Sequence, residues 1–295
     1  MKPAPFAYHA PRTVAEALRL LAEHSDDAKP LAGGQSLVPL LNFRLARPEH
    51  LIDLNEVAGL AGIRRSDGVL RIGAMTRQSA LEASALVGEH WPLLTEALTF
   101  VAHSQIRNRG TVGGSVAHAD AAAELPVALL ALGATVHAES LRGRRAIAAD
   151  ELFVTHLTTA LEPDELLVEI ELAPQPPATG HAFVEFARRH GDFALGGAAA
   201  LLTLAPDGTC ERARIALLAA GPVPLLAAEA ADGLRGGVVD EAAAAAAAQR
   251  AVEPISPTGD IHGSTEYRRE LVAVMVRRAL LSAAGRAREL HEDRS

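Results

Sequence analysis

The chain has 295 residues, 49% of them hydrophobic and 22% charged, which suits about two domains with cores of their own and excludes a disordered chain. A formal net charge of -8 and an aromatic share of 3% leave neither a basic surface nor enough rings for nucleic-acid binding. The lone cysteine, Cys210, excludes an internal disulfide and any iron-sulfur cluster held by this chain alone.

The opening stretch "MKPAPFAYHAPRTVAEALRLLAEH" has no uninterrupted apolar segment of the signal-peptide kind, and no apolar run reaches the roughly 18 residues of a membrane span. The expectation is a cytoplasmic protein with no transmembrane segment. Thr13 with Glu16 spells a capping box, and Val14, Ala17, Leu18 and Leu21 share one stripe of a helix ending near His24. "AKPLA" then reads as a strand, "SLVPLLNFRL" as a helix and "HLIDLN" as a strand, a β-α-β unit over residues 28 to 55.

Within "PLAGGQSLVPLLNFRL" the paired glycines lie at the strand-to-helix turn. Paired glycines let backbone amides approach an anion closely, and the following helix start favours the same guest. A turn that simply needs glycine is the plainer reading for one such loop, which a second copy would change. A second unit opens with the strand "GVLRIGAMT", whose Thr76 is placed to cap the helix "RQSALEASALV". "PLLTEALTFVAHSQ" reads as the next helix. A second glycine pair, Gly113 and Gly114, follows in "GTVGGSV", again with a strand-like approach, and a helix starts near Pro126.

The strand "DELLVEIEL" leads into "APQPPATG", residues 173 to 180, whose prolines mark a linker. Beyond it three strands are expected, with Asp207-Gly208 as a hairpin turn. Helices follow in "LLAAEAADGL", in the alanine-rich "VDEAAAAAAAQRAV", which helix propensity makes a packed helix, and in "STEYRRELVAVMVRRALLSAAGRAREL".

If "AGGQSL" and "GTVGGSV" face each other, their amides and the hydroxyls of Ser36, Thr111 and Ser115 surround a pyrophosphate from two sides. Neither loop has the spacing of the dinucleotide-binding or P-loop glycine motifs. Ser115, His118 and Asp120 lack a nucleophile elbow, so no hydrolytic triad is assigned. The 12 histidines show no metal-ligand spacing, and no metal site is expected. Arg107 and Arg109 suit either a phosphate or partner contact or an ion pair within the loop.

Taken together, "LAGGQSLVPLLNFRLARPEHLIDLN", "RIGAMTRQSALEAS", "IRNRGTVGGSVAHADAAAELP" and "FARRHGDFAL" resemble, in order and over about residues 3 to 290, the FAD-binding medium subunit of molybdenum hydroxylases. This is the family of aerobic carbon monoxide dehydrogenase and the xanthine dehydrogenase relatives. The resemblance implies an α+β fold: an FAD domain of the vanillyl-alcohol-oxidase type in two subdomains, about residues 1–56 and 57–175, then a C-terminal domain over 178–290 with a three-stranded sheet and a helical bundle.

The same resemblance makes Ala32, Gly33, Gly34, Gln35 and Ser36 the first FAD loop, and Thr111, Val112, Gly113, Gly114 and Ser115 the second. It sets Glu124 near the ribityl or ribose hydroxyls. Arg188, Arg189, Asp192 and Phe193 correspond to a segment approaching the isoalloxazine, with Phe193 where a tyrosine often stands; a charged hairpin with a core phenylalanine is the alternative.

The implied cofactor is noncovalent FAD, with no catalytic acid or base on this chain. The implied partners are a small subunit with [2Fe-2S] clusters and a large subunit with the molybdenum cofactor, in a dimer of heterotrimers. Two other readings stay open on the residues alone. One is a free-standing FAD-dependent oxidoreductase of related flavin fold, and the other is a nucleotide-binding scaffold without redox chemistry.

Overall fold

The structure is a computed structural model that describes residues 2–292. Its first layer is a parallel sheet of β1 (Ala7–His9), β3 (His50–Asp53) and β2 (Ala28–Leu31), in that order. Helix α1 (Val14–His24) packs Ala17, Leu18 and Leu21 onto Ala28, Ile52 and Leu54 of this layer. The capping box forms as expected: Thr13 Oγ1 accepts from the Glu16 amide at 3.2 Å, and the Glu16 carboxylate reaches back to the Thr13 amide. Helix α2 (Leu37–Asn42) makes the crossover from β2 to its parallel partner β3, completing the β-α-β unit.

A larger antiparallel sheet follows, in which β4 (Ile63–Ser66), β5 (Val69–Gly73), β10 (Leu166–Leu172), β6 (Thr135–Ser140) and β7 (Gly143–Ala148) lie side by side. Between its strands the chain builds α3 (Gln78–Glu82), α4 (Ala85–His90), α5 (Pro92–Phe100), α6 (Ser104–Arg107), α7 (Val112–His118) and α8 (Glu124–Leu132). The short helix α9 (Ala149–Leu152) and the ribbon β8 (Phe153–Thr155) with β9 (Thr158–Thr159) complete the unit. Every residue of α8 from Leu125 to Leu132 is buried, because it is wedged between this unit and the C-terminal sheet. Its C-terminal carbonyls of Leu130 and Ala131 accept from Arg214, a cation where the helix dipole favours one.

The C-terminal unit is a four-stranded antiparallel sheet of β11 (Thr179–Phe186), β12 (Gly196–Leu204), β13 (Cys210–Leu218) and β14 (Leu225–Leu226). Three helices follow it: α10 (Ala228–Asp232), α11 (Glu241–Val252) and α12 (Thr265–Glu292). Strand β12 is buried throughout, with α12 on one side and α8 touching it as well, which is why it reads as a continuous run of small apolar residues. The alanine run forms α11, capped by the Asp240 carboxylate on the Ala243 amide, and buries Ala244, Ala247, Ala248 and Ala251 against α12. Glu96 on α5 joins the two halves: its carboxylate accepts from Arg286 at 2.9 and 3.0 Å and from the Phe183 amide at 3.0 Å.

Several local expectations are corrected. Thr76 does not cap a helix, since its hydroxyl bonds both the amide and the carbonyl of Gly62. The segment after it is two helices rather than one, broken where Ser84 caps α4 on the Val87 amide. The helix from Pro92 stops at Phe100, and Ala102 then takes a left-handed φ of 40° before α6. The second glycine pair has no strand before it and lies inside the first turn of α7, N-capped by Thr111. The C-terminal sheet gains the two-residue β14 beyond the three expected strands. Among the described residues, no helix is long and apolar enough to cross a membrane.

Candidate functional site

The two glycine-rich segments meet. A Cβ on Gly33 collides with the Arg109 carbonyl and sits 2.8 Å from the Gly110 Cα, and one on Gly114 lies 3.3 Å from the Ala32 Cβ. Gly113 packs as tightly on the Ala74 backbone, at 2.8 Å from its Cα. Gly34 adopts φ +74°, a conformation that costs a glycine nothing.

A polar network that the sequence reading did not single out clamps the segments together. Arg77 donates to the Arg109 carbonyl of the second and, at 2.7 Å, to Asn55 Oδ1. Asn55 in turn donates to the Ala32 carbonyl of the first at 3.0 Å. Asp53 accepts from the Asn55 amide at 2.9 Å and from the Tyr8 hydroxyl at 2.6 Å. Those hydrogen bonds hold the Asp53 carboxyl below its ordinary range against the opposing effect of its burial. In the sequence Asn55 ends "HLIDLN" and Arg77 opens "RQSALEASALV", positions that carry no sign of their meeting.

Between the loops lies a cavity of about 690 Å³, within the range of organic-ligand sites. Ala32, Gly33, Gly34, Gln35 and Ser36 line it from one side and Thr111, Gly113, Gly114 and Ser115 from another, with Glu124 at the start of α8. Val112 corrects the sequence reading: its side chain is fully buried in the core and its amide donates to the Thr76 carbonyl, so it does not face the cavity.

The second loop's other amides are also engaged, Gly113 with Ala74, Gly114 with the Thr111 hydroxyl and Ser115 with the Thr111 carbonyl. On the first loop, by contrast, the amides of residues 33–36 have no acceptor among the described residues. The expectation of amides from two sides is therefore revised: the first loop offers free N–H groups, and the second a close-packed wall with hydroxyls.

The remaining expectations sort by geometry. Gly191, Asp192 and Phe193 reach the cavity rim, and Phe193 is 76% exposed rather than a core residue. A Cβ at Gly191 would lie 2.8 Å from the Ala102 carbonyl, so this C-terminal segment rests on the N-terminal unit. Arg188 bonds His262 at 3.0 Å, away from the glycine loops. Arg107, the last residue of α6, forms an ion pair with Glu82, the last residue of α3, at 2.7 Å. Ser115, His118 and Asp120 all line the cavity, but Asp120 accepts from the Ala122 amide and no hydrogen bond joins the three among the described residues. Burial lowers the His118 pKa. The β8–β9 ribbon, through Leu157, Thr158 and Thr159, supplies a wall that sequence reasoning missed because its two strands are too short to carry a period.

Residues 4–176 match the family model of the FAD binding domain in molybdopterin dehydrogenase, and residues 181–283 that of the carbon monoxide dehydrogenase flavoprotein C-terminal domain. The chain belongs to the FAD-binding medium subunits of the molybdenum hydroxylases. A 6-hydroxypseudooxynicotine dehydrogenase complex subunit alpha from Paenarthrobacter nicotinovorans is 50% identical over 99% of both chains. The carbon monoxide dehydrogenase medium chain of Afipia carboxidovorans is 38% identical over 98% of this chain and all of its own. The solved carbon monoxide dehydrogenase of Hydrogenophaga pseudoflava superposes with a TM-score of 0.95 at 40% identity, covering 97% of this chain and 99% of that one.

As a medium subunit, the chain carries the oxidoreductase flavin domain followed by a C-terminal domain of sheet and helices. Its loops fit FAD on structural grounds: two backbones brought so close that no Cβ is tolerated at Gly33, and beside that contact amides without acceptors among the described residues.

Two carboxyl groups near the cavity stand out electrostatically. Burial, reinforced by Asp120, pushes Glu124 up to about 7. Burial, reinforced by the charge of Glu124, pushes Glu185 up to about 8, and its Oε2 is buried without a hydrogen-bond partner. Each binds its proton more tightly in the folded chain than in the unfolded one, where the value is 4.5. The folded state therefore holds more protons between 4.5 and about 8, and stability falls as pH rises through that window. Glu185→Gln, which cannot ionise, should flatten this slope and raise the thermal midpoint at pH 8 by several degrees while changing it little at pH 5. Melting curves across that range check it; an unchanged slope would contradict the placement of Glu185.

Proposed function

We propose that this chain is the electron-transfer subunit of a heterotrimeric molybdenum hydroxylase, taking electrons from the [2Fe-2S] clusters of a small subunit and handing them to an external acceptor. A large molybdopterin-binding subunit oxidises the substrate, two heterotrimers pair, and the complex works in the cytoplasm. The reading divides the chain into an FAD domain over residues 1–175, with subdomains meeting near residue 56, and a C-terminal domain over 178–290. The observation that carries it is the closure of two glycine-rich segments across one cavity, with free amides on only one of them.

Ala32, Gly33, Gly34, Gln35 and Ser36 hold the pyrophosphate through backbone N–H groups, a fixed positive lining that needs no arginine. Thr111, Gly113, Gly114 and Ser115 close the other side, their backbone locked by α7, with the Ser115 hydroxyl free to donate. Glu124, protonated or charged near neutrality, offers a carboxyl to the sugar hydroxyls. Phe193 gives the rim an exposed ring without a hydrogen-bonding hydroxyl, so it packs and excludes water but does not tune by donation. When bound, FAD supplies the exchange between single-electron carriers and a two-electron acceptor. No side chain here acts as a catalytic acid or base.

The purified chain should carry one FAD, released completely by acid, because the cradle holds it by hydrogen bonds and shape alone. Absorbance of the supernatant against that of the precipitate measures this; flavin that stays with the denatured polypeptide contradicts it.

A further inference from the structure

Far apart in the sequence, His9, His24 and His50 come together in the fold. His9 and His50 project from the parallel neighbours β1 and β3, where Ala7 pairs with His50 and His9 with Ile52. In a parallel pair such residues lie on one face, the face that α1 covers. His24 is the last residue of α1 and lands on the same spot. The three rings are partly buried, and their ligand atoms all lie within 4.8 Å of one another.

His9 Nε2 and His50 Nδ1 are 3.0 Å apart, close to the separation of about 3.3 Å between two nitrogens on a tetrahedral zinc with bonds of about 2.05 Å. The His24 ring stacks on His50 with centroids 3.5 Å apart and planes 8° from parallel. Its nitrogens have no hydrogen-bond partner among the described residues. Turning about its Cβ–Cγ bond, a broad and soft torsion for histidine, aims one of them at the same point. Glu23 adds a negative charge beside His9.

The other cluster of possible ligands behaves differently. His137, Glu169 and Glu171 also gather, but Arg64, Arg71 and Arg144 already neutralise these carboxylates. A dication there would meet fixed positive charge. The charged groups acting on His9 are His24, His50 and Glu23, with no arginine or lysine among them.

We propose that His9, His24 and His50 bind one divalent transition-metal ion of the zinc class, a site that ties β1, α1 and β3 together. Three neutral imidazoles suit such an ion, and a fourth position is left to water. The ion would act as a structural clip joining three elements separated in the chain, independent of the flavin chemistry.

Metal-stripped, tag-free full chain is dialysed against zinc chloride and the retained metal counted by mass spectrometry. One zinc per chain is expected, together with a higher thermal midpoint in zinc. Loss of even an outer partner of a metal ligand costs about 10- to 100-fold in affinity, so His24→Gln and His50→Gln should each weaken zinc binding at least about tenfold. Their far-ultraviolet circular dichroism should match the parent's. X-ray absorption at the zinc edge of the unaltered protein should show imidazole nitrogen scattering, a readout that does not depend on any variant folding. No zinc retained by the parent, undiminished binding in a His9→Gln/His50→Gln double variant, or a zinc shell without imidazole each overturns the proposal.

Discussion

Replacing Gly33 with valine is expected to give a folded protein that purifies without flavin. A Cβ at this position has no room, because the Arg109 carbonyl and the Gly110 Cα, at 2.8 Å, are backbone atoms that no rotamer change can move. The collision pushes apart the two segments that Arg77 and Asn55 otherwise hold together. The amides of residues 33–36 then no longer converge on the cavity, and the lost contacts should weaken FAD by about a hundredfold or more, roughly 3 kcal/mol.

Gly114→Val should do the same by a second route. Its Cβ meets the Thr111 hydroxyl at 2.6 Å, the group that caps α7. The C-terminal sheet and α12 have a core of their own and should keep their helical signal in both variants. Flavin-to-protein ratios after gel filtration decide the matter: parent-like flavin content in both variants would remove the two-loop site.

Turnover is expected only when the chain is combined with its partner subunits. A single cysteine, Cys210, buried at the start of β13, cannot hold a cluster, so this chain has no one-electron relay of its own to feed a flavin. Within the cavity, His118 is driven toward its neutral form by burial and Asp120 is engaged with the Ala122 amide, an arrangement that binds rather than one that pairs an acid with a base. The isolated, FAD-loaded chain should therefore leave its flavin oxidised when mixed anaerobically with purines, aldehydes, N-heterocycles or carbon monoxide.

Adding the small and large subunits should bleach the flavin and bring steady turnover, a rise of at least about a thousandfold over a background set by uncatalysed chemistry. Substantial oxidation by the single chain would restore the free-standing flavoenzyme reading.

What the sequence determined by itself was largely local. The capping box of α1, the Asp207-Gly208 turn and the alanine helix α11 rest on interactions within a few residues, and each formed where its pattern lay; the strands and helix from Ala28 to Asp53 were read from their own residue patterns, although β2 and β3 pair across 22 positions. The edge strand β7 and the ribbon of β8 and β9 were illegible. The β7 segment "GRRAIA" exposes most of its residues, and β8 and β9 are too short to show a period, so only their partners across the sheet define them.

The site divided along the same line. Glycine pairs could be read as places where backbone comes close, but which amides remain free was decided by α7, whose first turn uses up those of the second loop while the first loop's stay open. Val112 fell on the core side of that helix for the same reason. Arg77 and Asn55 as the clamp between loops, and His9, His24 and His50 as one cluster, depend on contacts between residues 15 to 41 positions apart. No local pattern encodes such contacts, because they exist only once the burial of α1 on its sheet and the packing of α7 on Ala74 have brought those elements together.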